Sequence, residues 1–178
     1  MSRTSVVSRR GLAIALPIAV LLAAVAADAA RDRLGSSGLP LPRWVSLASS
    51  RANLRTGPGR QFPVRWVYVR RGLPLRVLDE ADVWRKVEDP GGERGWMHAA
   101  LLSSRRTVMV VGEVRALRRT PASGARVVAR LEPGVLGRLL SCERDWCLVE
   151  VERYRGWLRR DEMWGVDPAP PTAAEPEG

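Results

Sequence analysis

Trp84-Arg85-Lys86-Val87, continued across a charged turn by Gly95-Trp96-Met97, decides the fold, because a second version follows about sixty residues later. That version reads Trp146-Cys147-Leu148-Val149 and then Gly156-Trp157-Leu158. Each is a short apolar strand opened by Trp, a polar turn, and a return strand opened by Gly-Trp. The turns are Glu88-Asp89-Pro90-Gly91-Gly92-Glu93 and Glu152-Arg153-Tyr154-Arg155. Trp and Val suit a half-buried pleated surface, and polar turn residues suit the reversal between strands. Upstream, Arg71-Gly72-Leu73-Pro74-Leu75 aligns with Pro133-Gly134-Val135-Leu136-Gly137, and Leu54-Arg55 with Leu117-Arg118. The chain therefore reads as two hairpin-rich units in tandem.

Outward from the repeat, short strands continue in both directions. Trp44-Val45-Ser46-Leu47 starts one, Val64, Trp66 and Tyr68 alternate along another, and Leu75 and Val77 along the next. Ala99 to Leu102 is long enough only for a single helical turn closing the first unit. Thr107 to Val111 is a shared or first strand of the second unit, which closes at Met163-Trp164. Strands of about five residues between turn signals every eight to twelve or so indicate a small all-β barrel or sandwich. The units are placed at 46–105 and 106–166. Residues 30–45, with Gly35-Ser36-Ser37-Gly38, Pro40 and Pro42, read as a linker, and the Pro/Ala/Glu-rich stretch 167–178 as a disordered tail.

At the other end, Arg3, Arg9 and Arg10 precede an apolar run from Leu12 to Ala27, and Ala27-Asp28-Ala29 has the small-x-small cleavage pattern. Residues 1–29 thus have the layout of a cleaved signal peptide, and the run is short for a membrane anchor of about 20 residues. A periplasmic or secreted protein with no stable membrane span after cleavage is expected. Ser8-Arg9-Arg10-Gly11-Leu12 leaves the general and the twin-arginine export routes both open.

The run Asn53-Leu54-Arg55-Thr56-Gly57-Pro58, joined to Gly72, Trp84-x-x-Val87 and Gly95-Trp96, resembles the bacterial SH3-like domain family. The second unit keeps Leu117-Arg118, Gly134, Trp146, Val149 and Gly156-Trp157, but has Arg119-Thr120-Pro121 where Thr56-Gly57-Pro58 stands. The resemblance implies an all-β fold of two tandem, partly open SH3-like barrels. It also implies an exported, non-catalytic binding or adaptor module that contacts cell-wall peptide or another envelope component. A structural subunit of an envelope protein complex is the alternative partner reading.

Composition narrows the chemistry further. The chain has 178 residues, 29 basic against 19 acidic, and a single lysine, Lys86, among the basic ones. A polyanion- or lipid-binding face of arginines (Arg115, Arg118, Arg119, Arg126, Arg130, Arg138) is one use of this charge. Export and the interspersed acids speak against nucleic acid as the partner. The lone histidine, His98, precedes both cysteines, so the Cys-then-His order of cell-wall peptidases is absent, and His98 reads as a capping or surface residue. No catalytic residue, metal site or cofactor is expected.

Candidate ligand contacts are Trp66, Tyr68, Trp84 and Trp146. Trp84 and Trp146 begin strands beside charged turns. Trp66 and Tyr68 share one strand face, which is either core or the aromatic floor of a groove. Trp96 and Trp157 read as core, and Trp44 and Trp164 as seals at the ends of the folded region.

Cys142 and Cys147 are expected to form a disulfide across a hairpin. On a helix, five residues would leave the side chains roughly 140° apart. On paired strands they flank the loop Glu143-Arg144-Asp145-Trp146 and face each other. An oxidising compartment favours the bridge.

Overall fold

The computed structural model describes residues 33–169. The signal peptide expected at 1–29 and the tail from residue 170 lie outside the described residues. Among the described residues the fold is strands, turns and two single 3-10 turns, Ala99–Leu101 and Arg160–Glu162. A two-residue pair, β1 (Arg33–Leu34) and β2 (Pro40–Leu41), precedes two sheets.

The first sheet contains β3 (Arg43–Leu47), β4 (Ala52–Arg55), β5 (Val64–Tyr68), β6 (Pro74–Ala81), β7 (Trp84–Glu88), β8 (Arg94–His98) and β9 (Leu102–Ser103). The second contains β10 (Thr107–Val110), β11 (Arg115–Arg118), β12 (Val127–Leu131), β13 (Leu136–Glu143), β14 (Trp146–Val151), β15 (Tyr154–Arg159) and β16 (Met163–Trp164). Their orders are β5-β4-β8-β7-β6-β3-β9 and β12-β11-β15-β14-β13-β10-β16, the same path walked twice. These are two tandem, partly open SH3-like barrels. β5 pairs with β4 of its own sheet, and β10 belongs to the second sheet rather than being shared.

Each barrel folds around its own core because alternate residues of each strand turn inward. Leu47, Leu54, Leu75, Val77, Val87 and Met97 fill the first; Val108, Val110, Leu117, Val149 and Leu158 fill the second. The repeated Gly-Trp doublet acts differently from its sequence reading. Gly95 and Gly156 are buried inside their strands, where a Cβ would lie 2.7 Å from the carbonyl oxygen of Arg55 or Arg118 and as close to Leu54 or Leu117. Met97 and Leu158, two residues on, share that inward face. Trp96 and Trp157 consequently point to the opposite side and are only half-buried, which corrects their assignment to the core.

The linker reading of 30–45 is also corrected over its described part. Leu41 joins the first core, and Arg43, Trp44 and Val45 already belong to β3. Glu80 holds the preceding turn: its carboxylate accepts from Ser37 N at 2.7 Å, Ser37 Oγ at 2.9 Å and Ser36 Oγ at 3.3 Å. Arg43 Nη2 at 2.5 Å and Arg85 Nε at 3.0 Å complete its shell, and its side chain has no exposed surface. Similarly, Asp167 of the expected tail accepts from Trp44 Nε1 at 2.8 Å.

Trp44 and Trp164 meet each other instead of capping opposite ends. Their rings stand edge to face at 5.0 Å, where the first and second sheets adjoin. Trp164 Nε1 donates to the Pro74 carbonyl at 3.3 Å, and Arg70 donates to the Gly134 carbonyl at 2.6 Å. Small barrels of this length bury a limited core, so a shared aromatic contact adds to the stability of both.

Bulges at equivalent places, between Val77 and Asp79 and between Leu139 and Ser141, shift the pairing of β6 with β7 and of β13 with β14. They place Glu80 opposite Arg85 in the first barrel and Cys142 opposite Cys147 in the second. One rung of the repeated hairpin is therefore an ion pair in one copy and a disulfide in the other. The loop is shorter than the sequence reading had it. Glu143 and Trp146 are themselves paired, leaving a two-residue turn, Arg144-Asp145, whose Arg144 takes φ 46°. Reducing this bridge is expected to lower unfolding stability by about 2 kcal/mol, because the closed loop is short. Urea unfolding with and without a thiol reductant measures the difference.

Candidate functional site: an aromatic and cationic cleft on the first barrel

The pairing of Val87 with Gly95 carries the β7–β8 hairpin to Trp84 opposite His98. Their rings stand 5.4 Å apart at 82°. His98 is held there from behind: its Nδ1 accepts from Ala100 N at 3.2 Å and caps the 3-10 turn, as a capping residue should. Beside this pair, β4 brings Asn53 and Arg55, and the flanking turns bring Arg51 and Arg60. Together they line a cleft of about 490 Å³.

Leu54 and Arg55 now have separate tasks. Leu54 is completely buried, while Arg55 Nη1 donates to the carbonyls of Arg60 at 3.0 Å and Phe62 at 2.7 Å. Arg118 does the same for its own loop, donating to Ala125 O at 3.1 Å. The repeated Leu-Arg is thus a core residue followed by a loop clasp. In the first barrel the clasp also fixes a guanidinium at the cleft wall.

The cleft wall carries three guanidinium groups and no carboxylate. Among the described residues, Arg51, Arg55 and Arg60 form no ion pair. A flat aromatic face beside forked cationic donors suits a ligand with an apolar or amide portion and a carboxylate. The site has no activated nucleophile. Both cysteine sulfurs are committed to the disulfide, and among the described residues no cluster of His, Cys, Asp and Glu could hold a metal ion.

Of the four aromatic candidates, only Trp84 enters this cleft. Trp146 occupies the matching place in the second barrel, but its register partner is Arg159. That guanidinium lies 5.9 Å from the Trp146 ring centroid, at the register position where Trp84 has the His98 ring instead. Tyr68 packs against the first core and donates its hydroxyl to Asp89 Oδ2 at 2.8 Å. Burial, and then the Asp89 carboxylate, push that hydroxyl's pKa well above its ordinary value. Trp66 lies on the outer strand β5, away from the cleft lining. Asn53, Arg51, Arg55 and His98 are the residues that reading for aromatics missed. The one signal available for His98 was its place opposite Trp84 across the turn.

A second cleft, of about 420 Å³, lies on the second barrel between Asp145, Arg159, Arg160, Asp161 and Asp167. Here Arg159 pairs with Asp161 at 3.2 Å, and Arg160 donates to the backbone carbonyl of Asp167 at 2.9 Å. This cleft lacks an aromatic wall.

The bacterial SH3 domain family matches the chain twice, at residues 48–104 and 111–165. A putative N-acetylmuramoyl-L-alanine amidase, YrvJ of Bacillus subtilis (strain 168), is 21% identical over 63% of this chain and 24% of its own length. Among solved structures, an NlpC/P60 family protein from Bacillus cereus is similar over 68% of this chain and 55% of that one, at 17% identity and a TM-score of 0.31. NlpC2 from Trichomonas vaginalis is similar over 69% and 48%, at 12% identity and a TM-score of 0.32. The chain spans about a quarter of the length of the curated relative and about half of these two solved chains.

Proposed function

Because the chain belongs to the bacterial SH3 domain family, over two tandem copies, we propose that it is a non-catalytic module that binds cell-wall peptide through its first barrel. The observation that carries this reading is the cleft in which Trp84 and His98 face Arg51, Arg55 and Arg60. Cell-wall peptides combine amide planes with free carboxylates, and this wall offers an aromatic face and forked donors to match. The name of the Bacillus subtilis relative, a putative N-acetylmuramoyl-L-alanine amidase, supports the same class of polymer. Placement outside the cytoplasm, after loss of residues 1–29, belongs to this proposal.

The second barrel, 106–166 by the sequence division, has a different part. With Arg159 over Trp146 and a disulfide where the first barrel has an ion pair, it braces the first barrel and binds weakly or not at all.

Sedimentation with purified peptidoglycan tests the proposal. Wild-type protein is expected to pellet with the polymer, and Trp84→Ala to lose at least about tenfold in apparent affinity, as for an aromatic anchor. Trp146→Ala is expected to pellet like wild type. Equal retention of Trp84→Ala and wild type would overturn the assignment.

A further inference from the structure

The outer strand β5 is more apolar on its open surface than the fold requires. It ends the first sheet, paired on one side with β4 and unpaired on the other among the described residues. Val64 is 42% exposed, Trp66 52%, Val67 42% and Val69, just beyond the strand, 73%. Trp66 and Val67 are consecutive, so both faces of the strand present large side chains to solvent. The equivalent edge of the second barrel serves as an internal control. There β12 reads Val127-Val128-Ala129-Arg130-Leu131, and Val127 is its one exposed large apolar residue. The same topology is thus built elsewhere in this chain without an exposed Trp.

Soluble proteins usually blunt an edge strand with charge, Pro or a covering loop, and a long apolar edge is a template for another strand. We propose that β5 is a docking edge for an extended segment of a protein partner, received by strand addition and carrying carboxylates among its apolar residues. Main-chain hydrogen bonding along β5 would supply the attachment, and the side chains of Trp66 and Val67 would grip one face each. Charge selects the partner's chemistry. Arg65, Arg70 and Arg71 lie within and just after the strand. Arg65 is matched by Glu93 at 3.3 Å. Arg70, which donates to the Gly134 carbonyl, and Arg71 have no ion-pair partner among the described residues, so the unmatched positive charge stands just beyond the strand. A second copy of this chain is the poorer occupant, since it would bring the same arginines against one another. The site is separate from the Trp84–His98 cleft, whose lining shares no residue with β5.

A synthetic peptide of alternating glutamate and valine serves as the probe, with its lysine–valine counterpart as control. Amide hydrogen exchange of the full chain reads the contact. The acidic peptide is expected to slow exchange within Val64–Tyr68, and the lysine peptide to leave it unchanged. Trp66→Glu is expected to weaken the acidic peptide by about thirtyfold, the loss typical of an aromatic anchor. Trp66 is half exposed, so this variant keeps its fold, which an unchanged thermal midpoint verifies. Protection of β5 by both peptides, or undiminished binding by folded Trp66→Glu, overturns the proposal. Self-association that Trp66→Glu abolishes in sedimentation velocity also overturns it, in favour of a second copy as the occupant.

Discussion

Glu80→Ala is expected to destabilise the protein by about 3–5 kcal/mol, the usual cost of removing one partner from a buried ion pair. The carboxylate is wholly enclosed, and Arg43 and Arg85 are each mostly buried against it. Removing it leaves two guanidinium groups without an anion and frees the turn that Ser36 and Ser37 fasten. Burial opposes ionisation of Glu80, but the hydrogen bonds from Ser37 and Arg43 and the charge of Arg43 outweigh it, holding the carboxyl at about 2 against an ordinary 4.5. A depressed carboxyl contributes stability that is complete above its unfolded pKa and is lost as pH falls toward the folded one. Wild type should therefore lose this contribution between about pH 4.5 and 2, and Glu80→Ala should lack that component of the acid dependence. Urea unfolding of both proteins across this range measures it. A flat difference between them would show that the charge on Glu80 contributes nothing.

Leu54→Ala and Leu117→Ala should each cost about 2–5 kcal/mol, since both side chains are completely buried and truncation leaves a cavity. Each Leu packs directly beneath the strand glycine of its barrel, Gly95 or Gly156, so the surrounding backbone has little room to collapse into the gap. Equivalent positions in the two cores should yield losses of similar size. The Trp44–Trp164 contact and the bond from Trp164 to Pro74 couple the barrels. Either substitution is thus expected to shift one cooperative transition, followed by tryptophan fluorescence and far-ultraviolet circular dichroism together. Two separated transitions would show that the barrels unfold independently.

Much of this architecture was legible in the sequence because it is local. The repeat from Trp84 to Trp157, the strand lengths and the cross-strand approach of Cys142 and Cys147 depend on spacing within a hairpin. What escaped depends on distant partners. The Gly35–Gly38 segment looks like a linker until Glu80, more than forty residues away, supplies its hydrogen bonds. The outward placing of Trp96 and Trp157 is hidden for a related reason. Period-two alternation shows that Gly95 and Met97 share a face, but Leu54 and the Arg55 carbonyl decide which face is inside. The candidate site was half visible. Trp84 stood out as an aromatic at a strand end, while Asn53, Arg55 and His98 join it only when β4, β7 and β8 come together. Nothing in the spacing of Trp146 indicated that Arg159 would lie over its ring.

Titration of a soluble cell-wall stem peptide into an isotopically labelled chain carrying both barrels tests the binding account most directly, read as residue-resolved amide and indole shifts. The account predicts saturable shifts concentrated at Asn53, Arg55, the Trp84 indole and His98, with the Trp146 indole and Arg159 unmoved. Shifts centred on Trp146 and the second barrel, or none at millimolar peptide, would contradict it.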